Sequence, residues 1–135
     1  MKLDHLGVAV RRLDQAIAVY EAMGLEVAHR EQVTQDQVSV AFIPFDGGRF
    51  ELLEPTADTS PIAKFLERRG PGLHHVALEV PDIRKTLNDM KQRGLQLIDS
   101  EPRPGADQSL VAFVHPSATG GILLELVQHG EGLGE

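Results

Sequence analysis

The stretch HHVALEV (residues 74–80) decides the fold, because it repeats the pattern of DHLGVAV near the start of the chain (residues 4–10). Each stretch has a histidine followed by apolar residues at every second position, which is typical of a β-strand with one buried face. The two histidines, His5 and His75, are 70 residues apart. Either a stable unit was duplicated and the histidines came with it, or two copies of one strand present two ligands to a common centre.

The repeat extends along most of the chain. Four further pairs of segments match in the same order: GLEV with GLQL (24–27, 94–97), VAF with VAF (40–42, 111–113), GG with GG (47–48, 120–121) and FELLEP with LELVQH (50–55, 124–129). The spacing between partners drifts slightly, which small insertions at turns explain. The chain therefore contains one structural unit twice.

Each half of the chain is predicted to form a strand, a helix and three further strands. The helices are expected at residues 12–23 and 82–93. The strands are predicted at residues 2–10, 25–32, 37–45 and 49–55 in the first half, and at residues 73–80, 95–101, 109–116 and 121–128 in the second. The predicted fold class is α+β, with two tandem βαβββ modules forming a curved mixed sheet around a metal-binding cleft.

The modules are expected to belong to a single domain of residues 1–135. Module 1 covers about residues 1–55 and module 2 about residues 71–130, and a linker at residues 56–70 joins them. The linker is predicted to contain a short helix, with Ser60 as its N-cap and Pro61 at its first position. Residues 129–135 have the composition of a frayed tail.

Composition and charge exclude several classes of function. The chain has no cysteine, so any metal site must use histidine, carboxylate, amide or water ligands. Its 20 acidic and 13 basic residues give a formal net charge of −7, which argues against a nucleic-acid partner. No apolar run is long enough to cross a membrane, and the chain enters a strand pattern at once without a signal peptide. A cytoplasmic protein is expected.

Four residues are distinguished by the duplication: His5 with His75, and Glu51 with Glu125. The two glutamates lie in apolar strands, where an ionised carboxylate is costly unless it is paired or bound to a metal. A structural histidine and a glutamate on a solvated strand face are the alternative for each residue alone. Together, two histidines and two carboxylates suit a divalent metal and leave coordination positions open for a substrate.

The other histidines lack a partner in the repeat. His74 is adjacent to His75 but on the opposite face of the strand, and is interpreted as structural. His29, His115 and His129 are assigned no function.

The chain resembles the vicinal oxygen chelate superfamily, which includes glyoxalase I and the extradiol dioxygenases. Within it, the chain resembles the methylmalonyl-CoA epimerase family along nearly its whole length. The segments that carry this resemblance are DHLGVAV (4–10), ELLEPTADTSPIAKFLERRGPGLHHVALEV (51–80), DSEPRPGA (99–106) and VAFVHPSATGGILLELVQ (111–128). The long middle segment is the most specific of them.

The resemblance implies that His5, Glu51, His75 and Glu125 bind one divalent metal ion, with cobalt preferred and manganese, zinc or nickel as alternatives. Because Glu125 and Glu51 come from equivalent positions of the two repeats, they are expected to flank the chelated substrate and are predicted as the catalytic acid and base. Some relatives carry a further glutamate on the third strand, where the nearest match in this chain is Ser39. A serine cannot act as a base at neutral pH, so the identity of one base stays open.

The implied reaction is the epimerisation of methylmalonyl-CoA, as part of propionate metabolism. An acyl-CoA substrate and a homodimer are expected, with no nucleic-acid or membrane partner. The residues that bind the substrate are not assigned, because the basic side chains of Lys64, Arg68, Arg69 and Arg103 suit a solvated surface as well as CoA phosphates. The alternatives are a glyoxalase-like isomerase or another metal enzyme of the superfamily, and a metal-free small-molecule binding module.

Overall fold

The computed structural model describes residues 1–130, which form two compact units. One unit contains residues 5–74, and the other contains residues 1–4 together with residues 75–130. Residues 131–135, the larger part of the predicted tail, lie outside the described residues.

The first βαβββ module and the linker helix lie in the unit of residues 5–74, and the second module lies in the other; only residues 2–4 of the first strand and residues 72–74 of the fifth strand fall in the opposite unit. The elements of the first module and the linker are β1 (Lys2–Ala9), α1 (Leu13–Ala22), β2 (His29–Val33), β3 (Val38–Phe45), β4 (Gly48–Pro55) and α2 (Pro61–Arg69). The strands are arranged in the order β2-β3-β4-β1. β1 is parallel to β4, whereas β3 is antiparallel to both β2 and β4.

The other unit repeats this arrangement. Its elements are β5 (Gly72–Glu79), α3 (Ile83–Gln92), β6 (Arg103–Pro104), β7 (Leu110–Val114), α4 (Pro116–Thr119) and β8 (Leu124–Gln128). The strand order is β5-β8-β7-β6, with β5 parallel to β8 and the other pairs antiparallel. The predicted α+β fold with two tandem βαβββ modules is confirmed.

The two hydrophobic cores are built from matching residues. In each core one helix packs against one face of its sheet, and the fully enclosed positions come from the same places in the repeat. The first core contains Val10, Leu13, Ile17, Ala41, Ile43 and Leu52. The second contains Val80, Ile83, Leu87, Ala112, Val114 and Leu126. Because apolar side chains fill one face of each sheet, the side chains at the alternate strand positions lie on the opposite face.

The helices α1 and α3 each begin with a hydrogen bond to a side chain from the last strand of their own module. The backbone N–H of Leu13 donates to Glu54 Oε1 at 2.7 Å, and the backbone N–H of Ile83 donates to Gln128 Oε1 at 2.9 Å. Each acceptor is three residues beyond the duplicated glutamate of its strand, so the cap ties the helix to the strand that carries that glutamate. The predicted local cap is also confirmed, since Asp82 Oδ1 accepts from Lys85 N at 3.1 Å.

The strand predicted at residues 95–101 is wrong. Only Leu97 forms a bridge, with Val114, and the edge strand of this unit is instead β6. The ladder is interrupted because the backbone N–H groups of Ile98 and Asp99 both donate to the carbonyl of Phe113, so two residues oppose one. The Asp99 side chain then accepts from the Phe113 backbone N–H at 2.8 Å, in place of a backbone partner.

The linker helix α2 begins as predicted. Ser60 is fully buried, and its hydroxyl accepts from the backbone N–H of Ile62 at 3.1 Å and donates to the carbonyl of Asp36 at 3.3 Å. Pro61 occupies the first helical position. No helix within residues 1–130 has both the length and the apolar character that a membrane span requires.

Candidate active site

The first histidine–glutamate pair lies on the sheet face opposite α1. His5 is on β1 and Glu51 is on the neighbouring parallel strand β4, where it is opposite Gly7. Both residues are buried, with 4% and 5% of their surface exposed. The Nδ1 atom of His5 lies 3.1 Å from Glu51 Oε2, so the two side chains predicted as ligands from this module are in contact.

Arg49 is a third member of this cluster that the sequence analysis did not include. Its Nε and Nη2 atoms donate to Glu51 Oε2 at 3.1 and 2.9 Å. Its guanidinium carbon lies 4.6 Å above the centre of the Phe42 ring, and Phe42 is the cross-strand partner of Glu51 on β3. A residue two positions before Glu51 on the same strand faces the same side, which is the signal that could have identified it.

The second pair occupies the matching positions of the other unit. His75 is on β5 and Glu125 is on the parallel strand β8, where it is opposite Ala77. Both residues are buried, with 7% of their surface exposed. His75 Nε2 lies 3.2 Å from Glu125 Oε1. The His75 ring packs edge-on against Phe113, the cross-strand partner of Glu125, at a centroid distance of 5.7 Å.

The two pairs share their architecture, and an arginine lies over the phenylalanine in each: Arg49 over Phe42 at 4.6 Å and Arg103 over Phe113 at 5.6 Å. In both, a parallel strand pair brings together a buried imidazole and a buried carboxylate, with a phenylalanine on the adjacent strand. The position of Arg49 is occupied by Leu123 in the second unit. Because a buried carboxylate is stabilised by a nearby positive charge or a metal, each pair has the composition of a metal-binding or acid–base site.

Ser39 lies away from the glutamate of its own unit. On β3 it is opposite Glu54, whereas Phe42 is opposite Glu51. Cross-strand partners face the same side of a sheet, so Ser39 shares the α1 face with Ala41, and Val40 shares the face of Glu51. The β3 positions on the face of Glu51 therefore carry the apolar side chains of Val40 and Phe42.

The remaining histidines have structural surroundings. His74 packs edge-on against Phe65 at 4.9 Å, which agrees with its interpretation as structural. His115 caps α4, because its Nδ1 accepts from the backbone N–H of Ser117 at 3.0 Å. His129 contacts the carboxylate of Asp4 through Nε2, so this part of the predicted tail is held by the fold. Nothing in the repeat could have indicated the last contact, which joins residues 125 positions apart.

Comparison with known proteins shows that the chain is similar to one family over almost its whole length. Residues 4–113 match the glyoxalase/bleomycin resistance protein/dioxygenase superfamily. The chain is 38% identical to an ethylmalonyl-CoA/methylmalonyl-CoA epimerase of Cereibacter sphaeroides over 94% of its own length and 97% of that protein. It is also 38% identical to a mitochondrial methylmalonyl-CoA epimerase of Bos taurus, over 94% of its own length and 74% of that protein.

Similarity extends to solved structures. One is a methylmalonyl-CoA epimerase in complex with methylmalonyl-CoA and ammonium, which superposes with a TM-score of 0.91. The sequence identity to it is 32%, and the match covers 96% of this chain and 94% of that one.

Proposed function

We infer the activity of this chain from its family: it belongs to the glyoxalase/bleomycin resistance protein/dioxygenase superfamily and, within that superfamily, to the methylmalonyl-CoA epimerases. We propose that it interconverts the two stereoisomers of methylmalonyl-CoA by removing and returning the proton on the carbon between the carboxylate and the thioester. The observation that carries this proposal is the pair of buried histidine–glutamate contacts, one in each module, at the same positions of the repeat.

The chemistry of the four side chains supports the proposal of a divalent metal site. Two imidazoles and two carboxylates are nitrogen and oxygen donors that first-row divalent metals accept, and all four residues are at least nine-tenths buried. We propose that His5, Glu51, His75 and Glu125 bind one such ion, with cobalt preferred over manganese, zinc and nickel. When bound, the ion acts as a Lewis acid that stabilises negative charge on the thioester oxygen.

The carboxylates supply the proton transfers. The carbon–hydrogen bond of the substrate breaks, its proton passes to a carboxylate oxygen of Glu125, and the electron pair is left on the enolate. Inversion requires that the new proton arrive from the opposite face, and Glu51 is proposed as its donor. The reverse reaction uses the same two groups with their functions exchanged.

Burial of the carboxylates serves this chemistry in a second way. Screening of the site from bulk water keeps water from protonating the enolate from the wrong face. The 5% and 7% exposures of Glu51 and Glu125 satisfy this requirement. The phenylalanines beside them, Phe42 and Phe113, add apolar surface to the surroundings.

Epimerisation is favoured over the alternatives by the relatives of the chain and by its two buried carboxylates. A glyoxalase-like isomerase or a dioxygenase would share the ligand set, but the relatives with high coverage described above are epimerases of malonyl-CoA derivatives. A metal-free binding module has no requirement for two buried carboxylates, each within about 3 Å of an imidazole.

The direct test is proton exchange in deuterated water. The purified chain, loaded with cobalt after chelation, is incubated with one stereoisomer of methylmalonyl-CoA, and product stereochemistry and deuterium content are measured together. Conversion with incorporation of solvent deuterium supports the proposal. If the chain binds cobalt but leaves the stereoisomer unchanged and undeuterated, the epimerase assignment is wrong. Ethylmalonyl-CoA, the other substrate named for the Cereibacter relative, serves to define acyl-group specificity.

We further propose, from the sequence alone, that the enzyme is a cytoplasmic homodimer that participates in propionate metabolism. These statements, like the division into a single domain with modules at about residues 1–55 and 71–130 and a linker at 56–70, remain predictions.

A further inference from the structure

We propose that Arg49 is a positioning residue for Glu51: its guanidinium fixes the orientation of the carboxylate that the first module contributes to the site. This inference rests on the proposed function, since it assigns Arg49 a part in the metal binding and proton transfer of Glu51. It concerns contacts within the unit of residues 5–74 only.

The hydrogen bonds show that Arg49 restrains Glu51 directly. Two donors of the same planar guanidinium, Nε and Nη2, both bond to Oε2, at 3.1 and 2.9 Å. Such charge-assisted bonds are about twice as strong as neutral ones, and two donors that converge on one oxygen hold its position more closely than a single donor does.

The guanidinium is itself held in place. Its carbon atom lies 4.6 Å from the centre of the Phe42 ring, within the distance at which a cation is attracted to the face of an aromatic ring. Phe42 is opposite Glu51 in the β3–β4 ladder, so one backbone register places the ring, the arginine and the carboxylate side by side. The arginine side chain is 21% exposed, so water screens these interactions only weakly.

The position equivalent to Arg49 differs between the two modules. Leu123 stands at the position of Arg49 in the second module, two residues before Glu125. The His75–Glu125 contact forms with a leucine at this position, while Arg103 lies over Phe113 at 5.6 Å from the ring centre. The two bonds from Arg49 to one oxygen of Glu51 are the reason to assign it a function in orienting that carboxylate.

Two effects of Arg49 on metal binding have opposite signs, and their balance is testable. As a cation near a carboxylate ligand, it repels a divalent metal, so removing it would tighten binding. As an orienting group, it holds the ligand in its binding geometry, and loss of such an outer partner typically costs about 10–100-fold in metal affinity or activity. We expect the orienting effect to dominate.

The experiment measures the dissociation constant for cobalt and the values of kcat and KM for wild type, Arg49→Met, Arg49→Lys, Glu51→Ala and the Arg49→Met/Glu51→Ala double variant. Arg49→Met is expected to weaken cobalt binding by about 10–100-fold and to lower kcat with little change in KM. Arg49→Lys should recover part of the loss, because an ammonium still donates to Oε2 but lacks the planar fork. In the Glu51→Ala background, which lacks the acceptor of both Arg49 bonds, Arg49→Met should add less than about twofold, because its effect passes through Glu51.

Arg30→Met is the matched control, since Arg30 in the same unit pairs with Asp14 at 3.1 Å on the exposed surface. It should leave both quantities unchanged. The inference is overturned if Arg49→Met binds cobalt as tightly as wild type or more tightly, or if its full effect persists beside Glu51→Ala. A wild-type chain that binds cobalt without epimerising refutes the proposed function, while the cobalt cycle still decides the inference. A chain that epimerises without cobalt is judged on the kcat cycle, and a chain that does neither refutes both.

Discussion

Replacing Glu51 with glutamine separates its two proposed functions, because an amide oxygen can bind a metal but cannot take up a proton. The substitution keeps the size of the side chain. Its amide oxygen can accept the same two bonds from Arg49 that Oε2 now accepts at 2.9 and 3.1 Å. The protein should remain folded: the loss of charge weakens these bonds by about 1–3 kcal/mol, against a typical domain stability of about 5–15 kcal/mol.

The expected kinetic loss follows from general acid–base catalysis. If Glu51 is one of two proton-transfer groups, kcat for inversion should fall by about 10²–10⁴-fold in both directions. That corresponds to about 2.7–5.4 kcal/mol of transition-state stabilisation. Metal content, measured on the same samples, should remain near one ion per chain, so that a lost metal is not mistaken for a lost proton donor.

Isotope exchange gives the sharpest result. In the variant, the stereoisomer whose proton passes to Glu125 should still exchange that proton for solvent deuterium, while its configuration is retained. The opposite stereoisomer should neither exchange nor invert. Retention of metal with full epimerase activity in both directions would refute this reasoning, and would leave Glu51 as a ligand only.

A control for this substitution exists on the same strand. Glu54 is also on β4, but its side chain faces α1 and accepts a hydrogen bond from the backbone N–H of Leu13. The second module carries Gln128 in the equivalent cap, which shows that glutamine serves there. Glu54→Gln should therefore leave inversion, exchange and metal content unchanged.

Further predictions concern metal binding and stability. His5→Ala and His75→Ala should each remove most of the bound metal, measured by elemental analysis, while circular dichroism shows an intact fold. Chelation should abolish epimerisation, and added cobalt should restore it better than manganese, zinc or nickel does. Leu52→Ala and Leu126→Ala delete fully buried side chains at matching positions, so each should lower the free energy of unfolding by about 2–5 kcal/mol in urea titration. Ser60→Ala removes the α2 cap and should cost about 1 kcal/mol in the same assay.

The fold is largely predictable from the sequence because the duplication presents the residue pattern of each strand and helix twice. His5 and His75 identify the first strands, and the alternation after them separates the helix-packed face from the opposite face. The strand at residues 95–101 is mispredicted because its first residues match GLEV in the first module. What decides that segment is the side chain of Asp99, which takes a backbone hydrogen bond from Phe113, and alternation of apolar residues does not encode this.

The residues of the candidate site that occur in both modules can be predicted from the sequence, whereas those that occur in only one module cannot. Glu51 and Glu125 stand out because each interrupts an apolar strand at the same position of the repeat. Arg49 has Leu123 as its counterpart, so a search for repeated polar residues passes over it. The contact of His129 with Asp4 is hidden for the same reason, because the residue equivalent to Asp4 in the second module is His74. A comparison of the modules for their differences is therefore as informative as a comparison for their similarities.

The presence of Arg49 in one module and Leu123 in the other determines how the reaction must be measured. The ratio of kcat/KM in the two directions equals the equilibrium constant between the stereoisomers, whichever enzyme or variant is used. An arginine on Glu51 and a leucine beside Glu125 thus cannot make the enzyme favour one product, however much they alter either group. They can alter only the order and rate at which protons are exchanged on each face. We therefore expect the chemical inequality of Glu51 and Glu125 to show as unequal rates of deuterium incorporation into the two starting stereoisomers. Equal incorporation in the wild type, and again in Arg49→Met, would show that the two carboxylates act alike despite their different neighbours.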